Sequence, residues 1–474
     1  MGHDFDRRTF LAGLGGIGLG ALLPAREAEA QTTAPSSQPN QGLPAPVGIE
    51  YRKPDRPVTC VIIGHGNRGS YYGSMTKQMP DDWKVVGVAE PIKYRNEAAV
   101  KRHGIPGDSR FDTWERVFDR TKFADVCVIS TPDDLHYGPA MAALERGYDL
   151  LLEKPIAMTW QQCKDIHALA KKRGAIVGVC HVLRYAPYFV QLREVIGSGM
   201  LGDVVSIQHL EPIEQIHMSH SFVRGIWRNT KIALPIILAK SCHDLDLLCW
   251  FINKPCTRVS AMGSLSYFRK ENAPPGAPKM CLDGCPVEKT CAYYAPKVYV
   301  TDKLFGTGHI VTEDRSDKGI LEALKTSPFG RCVYQTDNDQ PDHFVSTMEF
   351  AGGATAAFSM EALTSYGGRR TRVMGTKGDV VGDERTLEVF LFAPRTRITW
   401  DVTKASSGEL GGHGGGDTRL VRNLTQAVAR RDPSLLSTDL ARSMESHLIG
   451  FQAEASRNAK GQPMEVDLAR ELSV

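Results

Sequence analysis

The stretch from Val58 to Glu90 constrains this chain more than any other. VTCVII is an unbroken apolar run that reads as a buried strand, Val58 to Ile63. It enters Gly64-His65-Gly66-Asn67-Arg68-Gly69, a GxGxxG turn, and a second apolar run, Lys84 to Ala89, ends on Glu90. Each glycine answers a separate demand. Gly64 permits the tight turn off the strand, Gly66 has no Cβ to keep a pyrophosphate from the backbone, and Gly69 lets the next helix pack closely on the sheet. The first amides of that helix, beginning at Asn67 and Arg68, then face the phosphates. Glu90 lies 26 residues after Gly64, where a carboxylate accepts from a ribose hydroxyl. A 2′-phosphate would meet a like charge there, which favours NAD over NADP; Arg95 pulls the other way. The bland alternative is a glycine turn with no ligand, and the strand, turn, helix and strand context argues against it.

The pattern continues. Helix-like segments cover Lys93 to His103, Tyr137 to Arg146 and Thr159 to Lys172, with a short amphipathic piece at Asp112 to Phe118. Between and after them lie apolar runs at Ala124 to Ser130, Asp149 to Leu152 and Ala175 to Cys180. Short apolar strands alternating with helices predict a parallel, doubly wound sheet whose ligand edge is the carboxyl one. Thr131, Pro132, Asp134 and His136 of TPDDLH sit at that edge, as does Glu153 of Glu153-Lys154-Pro155. These five are cofactor-lining candidates.

Past His181 the pattern changes. A helix is expected over Pro187 to Ser198. Strand-like runs follow at Val204 to Leu210, Arg258 to Phe268, His343 to Phe350, Ala354 to Glu361, Arg370 to Met374, Asp379 to Val381, Thr386 to Phe392 and Thr396 to Asp401. Strands without helices between them imply a mainly antiparallel sheet. Helices are expected at Thr418 to Arg430 and Leu440 to Asn458. The fold class is therefore α/β plus α+β: a Rossmann domain over 57–180, a second domain with a large open sheet over 181–437, and a helix and tail over 438–474 returning toward the first.

A formal net charge of +3 over 474 residues gives no case for a nucleic-acid surface, and 42% hydrophobic residues allow a large core. Residues 1–30 carry Arg7-Arg8 before Phe10-Leu11, a Gly/Ala/Leu-rich stretch and Ala28-Glu29-Ala30, the pattern of a twin-arginine export signal. Residues 31–56 read as a linker or arm. The expected location is the periplasm, reached folded through the twin-arginine machinery. Free NAD is not expected there, so the cofactor should be held tightly and recycled in place.

With GHGNRG, TPDDLH, LLEKPIA and SCHDLDLLCW on the page, the chain resembles the superfamily named for glucose–fructose oxidoreductase and inositol dehydrogenase, over roughly 57 to 460. The resemblance implies hydride exchange between NAD and a sugar, glycoside or polyol carbon, and a large open sheet used for substrate and assembly; because an open sheet needs covering, a homodimer or homotetramer is expected. It makes Lys154 the lysine beside nicotinamide and substrate hydroxyl, and His243 the acid/base or orienting partner. The family often has aspartate four residues before that histidine. This chain has Ala239 there and Lys240 one place on, which makes Lys240 a candidate substitute.

Removing hydride from a secondary alcohol needs a proton acceptor and a donor or cation beside the developing alkoxide. Lys154 and His243 supply both functions. The stretch from His209 to Asn229 is dense in polar and aromatic groups. Its Glu211, His217, His220, Arg224, Trp227 and Arg228 are candidates for a carbohydrate pocket, as are Arg184, Tyr185 and His413, the last in a glycine-rich turn before Asp417. Cys281, Cys285 and Cys291 form a C-x3-C-x5-C run. It could hold zinc or an iron–sulfur centre with Cys332 as fourth ligand, a disulfide, or free thiols. Disulfide or free thiols rank above metal, and the chemistry requires none. Two further readings stand beside the oxidoreductase: a glycoside hydrolase or lyase that uses NAD in transient oxidation, elimination and re-reduction, and a binding or assembly protein on a retained fold.

Overall fold

The computed structural model describes residues 42–46, 48, 50–304, 311–405 and 412–473. The leader over 1–30 and most of the linker lie outside the described residues. Six strands form a parallel sheet: β1 (Val58–Ile63), β2 (Trp83–Ala89), β3 (Arg110–Phe111), β4 (Val126–Ile129), β5 (Asp149–Leu152) and β6 (Val177–Val179). Their order is β3-β2-β1-β4-β5-β6. The direction of winding reverses between β1 and β4, which opens a crevice at their carboxyl ends. β3, too short to stand out as an apolar run, was not expected. Its pairing is confined to Val88–Arg110 and Ala89–Phe111.

The second sheet has nine strands: β7 (Val204–Pro212), β8 (Cys256–Ser264), β9 (His343–Phe350), β10 (Thr355–Glu361), β11 (Arg370–Gly375), β12 (Gly378–Gly382), β13 (Thr386–Leu391), β14 (Thr396–Asp401) and β15 (Met464–Glu465). Only β7 and β10 pair in parallel; the rest is antiparallel. One face buries Ile207, Phe344, Met348, Phe358, Met360, Val373, Val380 and Val389 beneath the helices Pro187–Gly197, Cys242–Ile252 and Leu440–Asn458.

The helix Gly416–Arg430, placed by sequence in the second domain, packs instead on the first sheet. Leu420, Val421, Leu424 and Ala427 share a core with Val58, Cys60, Ile62 and Tyr72. Its apolar stripe is read correctly from the sequence; which sheet it covers is set by its tertiary packing against the first core. The helix Leu440–Asn458 serves both sheets, with Leu440 and Met444 in the first core and Leu448, Ile449 and Ala453 in the second.

Several histidines are buried neutral. Burial, then the neighbouring His103, lowers His65 to about 4, and burial lowers His103 to about 4 and His447 to about 3. The unfolded chain takes protons near pH 6.5 while the folded one does not. Their contribution is therefore complete above about pH 6.5 and lost as pH falls toward 4, on the order of 2 kcal/mol for each. Guanidinium denaturation midpoints should be level above pH 7 and fall steeply between pH 6.5 and 4. A midpoint unchanged down to pH 4.5 would contradict this.

Candidate active site

The glycine turn leaves β1 at the switch point. Gly64 has φ +83, and a Cβ there would meet Ser130 O at 2.7 Å; a Cβ at Gly69 would meet Gly64 O at 2.0 Å. Both positions are closed to side chains by backbone. At Gly66 the nearest atom would be Arg95 Nη1 at 3.8 Å, so this position is open. No side chain caps the helix Asn67–Gln78, leaving its first amides to a ligand. Ser130 Oγ donates to Gly64 O at 2.7 Å and ties the turn to the end of β4. Glu90, at the end of β2, accepts from His65 N at 2.7 Å and Ile92 N at 2.9 Å, which leaves lone pairs for a ribose hydroxyl. These groups fit a dinucleotide: an open backbone cradle, unfilled amides and an acidic end to β2.

Lys154 is held by anchors on both sides. Before it, Glu153 Oε1 accepts from Arg68 Nε at 2.6 Å and Tyr72 OH at 2.6 Å. After it, His136 Nδ1 lies 2.7 Å from Pro155 O, and Ile156 N donates to His447 Nε2 at 3.0 Å while His447 Nδ1 donates to Ser443 O at 2.8 Å. The lysine ammonium then donates to Ala239 O at 2.7 Å. This is the carbonyl of the residue that stands where the family often has aspartate. The carboxylate near Lys154 is Asp133: buried, raised by that burial and lowered by Lys154, it accepts from Trp227 Nε1 at 3.1 Å.

His243 lies in the first turn of the helix Cys242–Ile252, is buried, and its Nδ1 has no hydrogen-bond partner. Burial first, then Lys154, His181, Arg369 and His413, lowers it well below the usual range, so it is neutral at physiological pH. Its ring lies 6.1 Å from that of His413 and 5.9 Å from that of His181. His413 Nδ1 donates to Asp417 Oδ2 at 2.8 Å, which presents Nε2 as an acceptor. Asp417 also takes Arg68, so the glycine turn, the Glu153 turn and the second domain's His413 share one ion-pair network. Lys154, His243, His413, Asp133 and Trp227 are thus brought together.

Other candidates go elsewhere. Lys240 Nζ lies 3.2 Å from Glu211, which also faces Arg369 at 2.7 Å, while Arg369 reaches Asp244 at 2.5 Å. Lys240 and Glu211 therefore belong to one ion-pair network with Arg369 and Asp244, and it is Ala239 O rather than Lys240 that meets Lys154. His217 lies in the same neighbourhood, lowered by burial and then Lys240 to about 3. Arg184 binds Asp246 with two bonds of 2.7 Å, and Tyr185 OH pairs with Thr438 Oγ1 at 3.0 Å; both are internal rather than substrate-facing. His220 stacks on Phe329 and bonds Tyr299. Arg228 pairs with Asp337, and Arg224 points into the cysteine segment. Arg68 and Glu153 bind each other, where sequence reasoning placed them on the cofactor. His136 clamps Thr131 O as well as Pro155 O. Thr131 and Pro132 stand at the crevice edge, and Asp134 points to solvent where Asp133 points inward. Sequence reasoning missed Asp133, Asp417, Tyr72, Arg369 and His447. Asp133 was visible in TPDDLH, but nothing local says which of two adjacent aspartates turns inward; its partner Trp227 is 94 residues away.

A Rossmann sheet with an open glycine cradle, a fixed lysine and a neutral histidine defines a dinucleotide-dependent oxidoreductase. The chain belongs to the Gfo/Idh/MocA oxidoreductase family: the family's NAD-binding Rossmann fold matches residues 58–181 and its C-terminal alpha/beta domain matches residues 193–450. It is NAD-dependent. It is 27% identical over 334 residues to the putative oxidoreductase YteT of Bacillus subtilis (strain 168), covering 65% of this chain and 74% of that one. It is 25% identical over 214 residues to that organism's scyllo-inositol 2-dehydrogenase (NAD(+)), a match over 44% of this chain and 58% of the relative. Its fold resembles an inositol dehydrogenase homolog complexed with NAD+ from Azotobacter vinelandii, with TM-score 0.64, 15% identity and coverage of 87% and 98%. An oxidoreductase domain protein from Kribbella flavida gives TM-score 0.65, 18% identity and coverage of 87% and 99%.

Proposed function

We propose that the chain oxidises a secondary hydroxyl of a sugar, glycoside or polyol, or reduces the matching ketone, with NAD retained between turnovers and returned to its starting oxidation state by the opposite reaction on a second carbonyl or hydroxyl substrate. The carrying observation is the convergence of Lys154, His243 and the Asp417-oriented His413 beside the carboxyl edge of the first sheet. When bound, NAD supplies the hydride acceptor. Lys154 places a cation at the substrate oxygen. Neutral His243 takes the hydroxyl proton or holds the hydroxyl for His413 to take it. Trp227, fixed by Asp133, offers an apolar face to a ring. The inositol dehydrogenases among the relatives support a polyol-like substrate.

A second reading is favoured by His413–Asp417, a further imidazole–carboxylate pair next to His243: transient oxidation acidifies a ring proton, a second base removes it, and the glycosidic bond breaks before the hydride returns. Export through the twin-arginine route to the periplasm, supported by Arg7-Arg8 and the Gly/Ala/Leu stretch, gives a reason to retain the cofactor. Among the described residues no helix is long and apolar enough to cross a membrane. A homodimer or homotetramer is supported by the uncovered face of the second sheet, where Met262, Val345 and Val381 are 60%, 46% and 47% exposed.

One experiment separates these readings. The protein is taken from an osmotic-shock fraction, purified without added cofactor and treated with polyols and glycosides while absorbance near 340 nm is followed. Bound NAD and a ketone product are expected. Cleaved glycoside with no net absorbance change selects the second reading. A protein that neither carries nor binds a dinucleotide overturns both.

A further inference from the structure

Arg224 is fully buried, yet none of its contacts is to a carboxylate. Nε donates to Arg331 O at 2.7 Å, Nη2 donates to Tyr293 O at 2.6 Å and contacts Cys281 Sγ at 3.6 Å, and Nη1 has no partner. The other buried guanidiniums differ: Arg184 faces Asp246, and Arg369 faces Asp244, Glu211 and Glu384. The Tyr299 ring, 6.0 Å from the guanidinium carbon, offsets part of this charge but is not an anion. A buried cation without a full counter-charge is costly, which favours an anion at this place.

The cavity beside Arg224 is lined by Cys281, Cys285, Cys291 and Cys332, with Tyr293. Three come from one short loop. The fourth is delivered by an isolated bridge between Met280 and Arg331, in which Cys281 N donates to Gly330 O and Cys332 N donates to Lys279 O, each at 2.8 Å. None is in a disulfide. Four thiols are neutral and so is a pair of disulfides; either would leave Arg224 uncompensated. Four thiolates on one divalent cation carry a net charge of minus two, which supplies the missing counter-charge.

We propose that Cys281, Cys285, Cys291 and Cys332 bind one zinc ion as a tetrathiolate, with Arg224 as its buried counter-cation. Binding releases four thiol protons, and no electron is transferred. Among the described residues no three His, Cys, Asp or Glu side chains stand in a metal-holding group, so zinc binding requires the cysteine loop to close further around the ion. The site is structural. It staples the cysteine loop and Cys332 to the turn Ser219–Arg224, three residues before Trp227, whose indole bonds Asp133 beside Lys154.

The test uses the full chain, purified under reductant. Elemental analysis should find about one zinc per chain. Cobalt exchange should give thiolate charge-transfer and tetrahedral d–d bands. Cys285→Ser should lower bound zinc at least about fivefold, and Arg224→Met should weaken zinc retention against a chelator with all four thiols intact. Should the serine variant not fold, the cobalt spectrum of the unaltered chain decides alone. Absence of metal before and after zinc addition overturns the proposal, whether alkylation finds free thiols or the mass is lower by the ~4 Da of two disulfides. Iron with acid-labile sulfide overturns it as well.

Discussion

Replacing Lys154 with methionine should lower kcat by about 10³-fold or more while NAD affinity stays within a few-fold. Methionine keeps the length and apolar stem and removes only the ammonium. That ammonium is fixed by Ala239 O at 2.7 Å, with Asp133 and neutral His243 beside it. His243 cannot carry positive charge at neutral pH, because burial and Lys154 itself oppose its protonation. In the proposed reaction the cation at the substrate oxygen is therefore the lysine's. The hydrogen bond this ammonium makes is to Ala239 O, outside the cradle at Gly64 to Gly69, so cofactor affinity reports mainly on a different part of the molecule. Stopped-flow hydride transfer and fluorescence titration with NAD separate the two. Turnover within tenfold of the parent would remove Lys154 from the chemistry and with it the proposed reaction.

Gly66→Val should raise the dissociation constant for NAD by about 100-fold or more, close to 3 kcal/mol, with a change in folding stability near 1 kcal/mol. The contrast follows from the three glycines. Gly64 and Gly69 each face backbone within 2.7 Å of a built Cβ, so alanine at either disturbs the fold itself. At Gly66 the first atom met is the far end of Arg95, at 3.8 Å. The space there is kept for something other than protein. Calorimetric titration and thermal melts on the same samples check both halves. Unchanged NAD affinity would mean that the pyrophosphate does not cross Gly66.

The same distinction shows what could be read without coordinates. The apolar run at Val58, the GxGxxG turn, the helix at Leu440 and the alternating strands after Val204 were legible because their causes are local: burial on both faces of a parallel strand, side-chain period two in a half-covered one, left-handed backbone at Gly64. Lys154 and His243 were legible through motifs. Arg68 and Glu153 were assigned to the cofactor because they flank its cradle, but they satisfy each other across 85 residues, and Asp417 joins them from 349 residues away. The choice of Asp133 over Asp134 rests on an indole from the second domain. Arg224 lies in a stretch that reads as a sugar pocket, yet it turns toward the cysteines.

By itself the sequence determined the two sheets, the cradle and the candidate reacting groups, since each depends on residues adjacent in the chain. The tertiary structure alone decided which charges meet: the anchors of the Lys154 turn, the acid beside it, the orientation of His413 and the uncompensated guanidinium among four thiols. Paired charges act over a few ångströms of space, and spacing along the chain carries no record of those distances.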